Sequence, residues 1–242
     1  MLLVNFGDDN TGADASVEVV NPWEERKDRG RVAALVSAVA LLATSPREFF
    51  GGTRVDAGWW GPLLFAGLAI SLGAFLEGLV VIVLALTLPD ATLELINRMQ
   101  LFGEPAAVSG VEGIPFLEQI LPFIGLQLLL LSLPFVFVFS PLIPLICAGF
   151  LHLLLIVTRS PRPQGFRGTW VAACYAAGAF LLSVIPVAGD VLVVVGSAGL
   201  FAVGLHAIQG IKASKAALLA AILPLLLFLG AILEILLVAA RA

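Results

Sequence analysis

The sequence predicts an all-α, polytopic integral membrane protein, with five transmembrane helices preceded by amphipathic interfacial helices. Three observations carry that prediction. Of 242 residues, 60% are hydrophobic and only 12% charged, and the mean hydropathy is +1.06, whereas a soluble chain is roughly a quarter charged. The apolar residues gather into runs long enough to cross a bilayer. The basic residues gather between those runs, and they do so on one side.

Residues 1–20 carry Asp8, Asp9, Asp14 and Glu18 among small residues and read as a flexible acidic tail. "MLLVNF" is too short for the apolar core of a signal peptide and lacks a basic start. Residues 21–61 read as interfacial. Asn21-Pro22-Trp23-Glu24 has the form of a helix start, with Asn21 as N-cap and proline in the first turn. Val32, Leu35, Val36, Val39 and Leu42 then fall on one helical face. Ser45-Pro46-Arg47-Glu48 matches a capping box and is followed at once by Phe49 and Phe50. Those rings, with Trp59 and Trp60, are expected to anchor the segment in the headgroup layer.

Residues 62–242 form the membrane domain. Its spans are expected at about 62–88, 120–157 (kinked), 169–185, 191–207 and 216–240. The stretch 120–157 would be about 55 Å long as one helix, so it is either one kinked span or two spans turning at "FSPLIP". Charge decides between them. With one crossing, 11 of the 13 basic residues share a side, Arg98 and Arg241 being the exceptions. With two crossings the division is 7 against 6. The positive-inside bias selects five spans, with the N-terminus cytoplasmic and the C-terminus outside.

The motifs then line up with a family. A capped proline motif with paired phenylalanines precedes a span opening "PLLFA", and the second span ends in "LHLLLIV". A basic hairpin leads into "FRGTWVAACYAAGAFLLSVIPVAG" and then "GLHAIQGIKASKAALLAAILPLL". Over residues 45–230 the chain resembles the Yip family, the Ypt/Rab-interacting membrane proteins and their prokaryotic relatives. The resemblance implies a five-span fold with a cytoplasmic N-terminus and, in eukaryotic members, association with small GTPases. Ten arginines against three lysines fit a GC-rich prokaryotic genome, and so a member in a prokaryotic cytoplasmic membrane. The chain departs from the family where relatives carry a proline soon after the tyrosine of the third span; here Ala176, Ala177, Gly178 and Ala179 follow Tyr175. Relatives also place Glu and His at the end of the fourth span, where this chain has Ala207 and Gln209.

Chemistry has few carriers. The chain has no HExxH, GxSxG or P-loop motif and no Cys/His zinc spacing, so a non-enzymatic protein without cofactor or metal is expected. Cys147 and Cys174 are read as free thiols. A pI near 5.1 argues against nucleic acid. The candidates are polar groups within spans, which are costly there. His152 and Tyr175 fall about 8 and 9 Å from the cytoplasmic ends of their spans, and His206 lies near the same face. These three are read as a cluster, or alternatively as separate groups stitching helices together. Glu77, about 22 Å along the first span, is either a coupling site or a carboxyl bonded to a neighbouring helix. Arg159, Arg162, Arg167, Lys212 and Lys215 are expected to meet anionic lipid headgroups.

Small residues on spans three and four predict a tight hairpin between them, with homo-oligomerisation their less favoured use. The expected function is membrane organisation or recruitment of a protein partner at the cytoplasmic face. The rival is a small transporter or channel built on Glu77 and the His152, Tyr175 and His206 group.

Overall fold

The computed structural model describes residues 20–87, 130, 133–186 and 188–239. The acidic tail before residue 20 and all of residues 88–129 lie outside the described residues. The described residues are helical with turns and contain no strand. The helices are α1 (Arg26–Arg29), α2 (Arg31–Thr44), α3 (Pro46–Gly51), α4 (Trp60–Thr87), α5 (Leu142–Val157), α6 (Gly165–Ala176), α7 (Gly189–Gln209) and α8 (Ala213–Ala239). A 3-10 turn, Val55–Ala57, precedes α4, and a 3-10 segment, Ala177–Val184, continues α6.

Among the described residues, four helices are long and apolar enough to cross a membrane: Trp60–Leu84, Leu133–Val157, Gly189–Gln209 and Ala213–Gly230. The second runs through "FSPLIP" as one apolar helix, while residues 120–129 of the expected stretch lie outside the described residues. The backbone N–H of Ser140 bonds to the Val136 carbonyl, and that of Leu145 to the Pro141 carbonyl. α6 is the centre of the bundle. Every residue from Gly168 to Ala179 is buried, enclosed by α4, α5, α7 and the N-terminal segment. Twelve α-helical residues run directly into eight 3-10 residues, about 34 Å in all, because a 3-10 helix rises about 2.0 Å per residue.

Small side chains make this packing possible, since helices in lipid associate by close contact rather than by expelling water. A Cβ on Gly204 of α7 would sit 3.0 Å from Ala172 Cβ, and one on Gly196 3.4 Å from Ala179 Cβ. The expected hairpin of spans three and four is thus formed by small residues facing one another. α4 packs along the 3-10 segment, α5 on α6, and α8 on α7.

The N-terminal segment differs from expectation. Residues 22–25 form a turn, not a helix. Gly30, at φ +83° and ψ +146°, then separates α1 from α2, a conformation that only glycine adopts cheaply. α2 buries Ala34, Ala38 and Leu42, while Val32 and Val36, placed on the packing face by spacing alone, are 77% and 63% exposed. The alanines permit a closer approach than valines would. Glu48 follows Ser45 by three residues as the box requires, but the Ser45 side chain makes no cap bond. What Ser45 supplies is a sharp bend at φ −141°, which turns α3 back towards the bundle. Phe49 and Phe50 are therefore not at an exposed interface. They are 0% and 1% exposed, driven inward between α4, α6 and α7.

Candidate functional site

The end of the bundle where α4, α6 and α8 begin and α5 and α7 finish holds a buried polar network. Gln209, the last residue of α7, is fully buried. Its Nε2 donates to the Gly165 carbonyl at 2.7 Å and to Thr169 Oγ1 at 3.2 Å, and its Oε1 accepts from the backbone N–H of Gln164 at 3.3 Å. Those two backbone partners fix which end of the amide is which. Thr169, also fully buried, accepts from Gln209 and pairs with His152 Nδ1 at 3.2 Å. The His152 ring is held edge-on against Phe166 at 5.4 Å between centroids. A cavity in hydrocarbon would leave these groups unsatisfied, so the network locks the start of α6 to the ends of α5 and α7.

One helical turn or two deeper lies an aromatic nest. Tyr175 is fully buried, edge-on to Phe49 at 5.0 Å and to Phe65 at 5.2 Å. Phe49 is in turn perpendicular to Phe50 at 5.4 Å, and Trp23 meets Phe65 at 5.7 Å. Edge-to-face pairs of this kind are each worth about 0.5–1.5 kcal/mol beyond burial.

A clasp closes the N-terminal segment over the nest. The backbone N–H of Asn21 bonds to the Gly52 carbonyl, Asn21 Nδ2 donates to Thr53 Oγ1 at 2.9 Å, and Asn21 Oδ1 accepts from the Trp23 N–H at 3.0 Å. Trp23, fully buried, donates Nε1–H to the Gly61 carbonyl at 2.7 Å. So residues 21–24 and 52–54 are tied together and to the start of α4.

Glu24 gives the clasp a pH dependence. Its Oε1 accepts from the Arg54 backbone N–H at 2.8 Å, whereas its Oε2 is sealed without a partner among the described residues. Burial outweighs that hydrogen bond and the Arg54 charge, and lifts the carboxyl from an ordinary 4.5 to about 7; Asp56 adds to the rise and Arg26 opposes it. A carboxyl raised on folding contributes its stability fully below about pH 4.5 and loses it as pH climbs through 7. Thermal melting in detergent should therefore give a lower midpoint at pH 8 than at pH 5, and Glu24→Gln should flatten that difference. An unchanged pH profile in the variant would remove Glu24 as its source.

The three residues read as a cluster have separate partners. His152 belongs to the Thr169 network and Tyr175 to the aromatic nest. His206 is exposed, and its Nδ1 donates to the Ile211 carbonyl at 2.7 Å, closing the turn between α7 and α8. Glu77 is half-buried at the other end of the bundle. It lines a cleft of about 70 Å³ with Asp190, Ser183 and apolar walls that include Val80, Leu84 and Ile185.

Among the expected headgroup residues, Arg159, Arg162 and Lys212 are exposed. Lys215 Nζ donates to the Thr158 carbonyl at 3.1 Å, holding the end of α5, and Arg167 Nη2 to the Asp56 carbonyl at 2.8 Å. Trp60 is 80% exposed and Trp59 45% exposed. Cys147 and Cys174 are free.

Asn21, Trp23, Glu24, Thr169 and Gln209 were not singled out as site residues. Thr169 and Gln209 carry a usable signal, being polar side chains at the borders of apolar runs. The Glu24–Arg54 contact has none, because no periodicity relates residues 30 apart.

Comparison with family models matches the Yip1 domain over residues 39–234. Comparisons with curated proteins and with solved structures give no match. The matched region runs from within α2 to within α8 and so contains the aromatic nest apart from Trp23, the polar network and the four long apolar helices. This chain belongs to the Yip1 domain family and is an integral membrane protein.

Proposed function

We propose that this protein is a non-enzymatic, five-span member of its family that recruits a partner, or organises the membrane, at its basic end. That end faces the cytoplasm with the N-terminus, and the C-terminus lies outside, in a prokaryotic cytoplasmic membrane. α6 with its 3-10 extension is the fifth span, since about 34 Å exceeds the ~30 Å hydrocarbon core. Residues 21–61 are a packed part of the membrane domain.

The observation that carries this reading is the gathering of exposed cations around the clasped N-terminal segment. Lys27, Arg29, Arg31, Arg54, Arg159, Arg162 and Lys212 are all exposed on the segments at that one end. Such a face draws anionic partners and headgroups and repels translocation. Homo-oligomerisation is not favoured, because Gly196 and Gly204 of α7 already face Ala179 and Ala172 inside the bundle.

Photocrosslinking groups at positions 162 and 212 in intact cells test the proposal, with single-cysteine labelling at 164 and 189 to set sidedness. Discrete protein adducts at 162 and 212, lost on charge reversal of Arg159, are expected, with 189 alone labelled from outside. Labelling of 164 from outside, or crosslinks to lipid only, would sink partner recruitment at a cytoplasmic face.

The transporter or channel reading draws on one observation, the cleft shared by Glu77 and Asp190. Proteoliposomes would show a proton or cation flux lost in Glu77→Gln; no flux in the wild type removes that reading.

A further inference from the structure

We propose that Arg167 and Trp170 form a seat for the phosphate of a membrane phospholipid, with Trp59 as its movable wall. The seat stands on its own observations and does not depend on partner recruitment.

Two N–H donors, three residues apart on α6, are left over after all contacts are assigned. Trp170 is 5% exposed, and its Nε1 has no acceptor among the described residues. Arg167 spends Nη2 on the Asp56 carbonyl, but its Nε is likewise buried and unpaired. Buried donors without acceptors are rare and costly. Residues at i and i+3 share a helix face, and both border one ring: Trp59 lies 5.9 Å from Trp170 between centroids and 6.0 Å from the Arg167 guanidinium carbon. Phe166 stacks on the other part of Trp59 at 6.2 Å.

The donor set selects the ligand. A guanidinium N–H beside an indole N–H, with no carboxylate bonded to either, asks for an oxygen acceptor carrying negative charge, and arginine is the side chain best matched to phosphate. Position selects the source. The seat lies beside exposed Trp60, at the bundle end rich in cations, where a bilayer presents its phosphodiesters. Access runs through Trp59. It is already partly exposed and follows Gly58, whose φ of +114° marks a link able to reorient without a side chain in the way. Swinging the ring outward uncovers both donors while Arg167 keeps its Asp56 bond.

The test is native mass spectrometry of the purified, delipidated full chain, titrated with phosphatidylglycerol, phosphatidylcholine or inorganic phosphate. One molecule of either lipid should be retained, since both carry the phosphodiester. Trp170→Phe, which keeps the ring but removes the N–H, and Arg167→Lys, which keeps charge but removes Nε, should each weaken retention roughly tenfold. Melting curves equal to wild type in Trp170→Phe separate this loss from misfolding. Arg162→Gln, at an exposed cation of the same end, should change retention little. Three results would overturn the seat: undiminished lipid binding in folded Trp170→Phe and Arg167→Lys, an equal loss in Arg162→Gln, or retention of inorganic phosphate in preference to either lipid.

Discussion

Gly73→Ala is expected to be the most damaging single-methyl change in the bundle. A Cβ at Gly73 on α4 would sit 2.3 Å from the carbonyl oxygen of Phe180 and 2.8 Å from its carbon. Both are backbone atoms of the 3-10 extension of α6, so no rotamer change relieves the clash. α4 would have to move off the segment along which it packs, and overpacking of this kind costs about 3 kcal/mol. Gly149→Ala, in the middle of α5, is the matched control. Nothing lies within 4 Å of its added Cβ, and alanine is the better helix former by about 1 kcal/mol in water. Melting of the two variants in one detergent should show a large drop for Gly73→Ala and no drop for Gly149→Ala. Equal midpoints would mean that α4 does not pack against the 3-10 segment as described.

Phe49→Ala is the second large effect, and it tests whether the N-terminal segment is part of the core. The ring is fully buried and is in contact with Phe50, Phe65 and Tyr175. Its removal leaves a cavity inside a nest whose own residues cannot collapse into it, at about 2–4 kcal/mol. Within a membrane much of that loss is contact energy, not hydration. The consequence should be local before it is global. A cysteine at Ala38, fully buried in α2, should resist a water-soluble maleimide in the otherwise cysteine-free protein and react readily once Phe49→Ala is added. Ready labelling at 38 without that change would place α2 away from the bundle.

These two positions also show where sequence reasoning reaches and where it stops. Phe49 and Phe50 were visible as a pair of large rings after a charged helix start. Charge and aromaticity alone place such a pair in the headgroup layer, and nothing local says that Ser45 bends the chain inward. Gly73 is one glycine among 24, and only the neighbouring backbone of Phe180 makes it irreplaceable. Val32 and Val36 mark the same limit from the other side. Helical period identified their shared face, but the face that packs was chosen by the small volume of Ala34 and Ala38. His152, Tyr175 and His206 were grouped by depth, a single coordinate. Their partners depend on azimuth around each helix, which a depth estimate does not contain.

By itself the sequence determined the membrane class, the helical content, the small-residue packing of α6 on α7 and the family. Each of these follows from one-dimensional quantities: apolar run length set against bilayer thickness, helical spacing of small residues, and a motif order that a family model also detects. Only the tertiary structure decided that residues 21–54 fold into the bundle, that Thr169 and Gln209 hold His152, and that Glu24 closes a clasp with Arg54. Those outcomes depend on which surfaces meet, and contacts between residues 30 or more apart are set by the shape of the whole bundle, not by any local pattern.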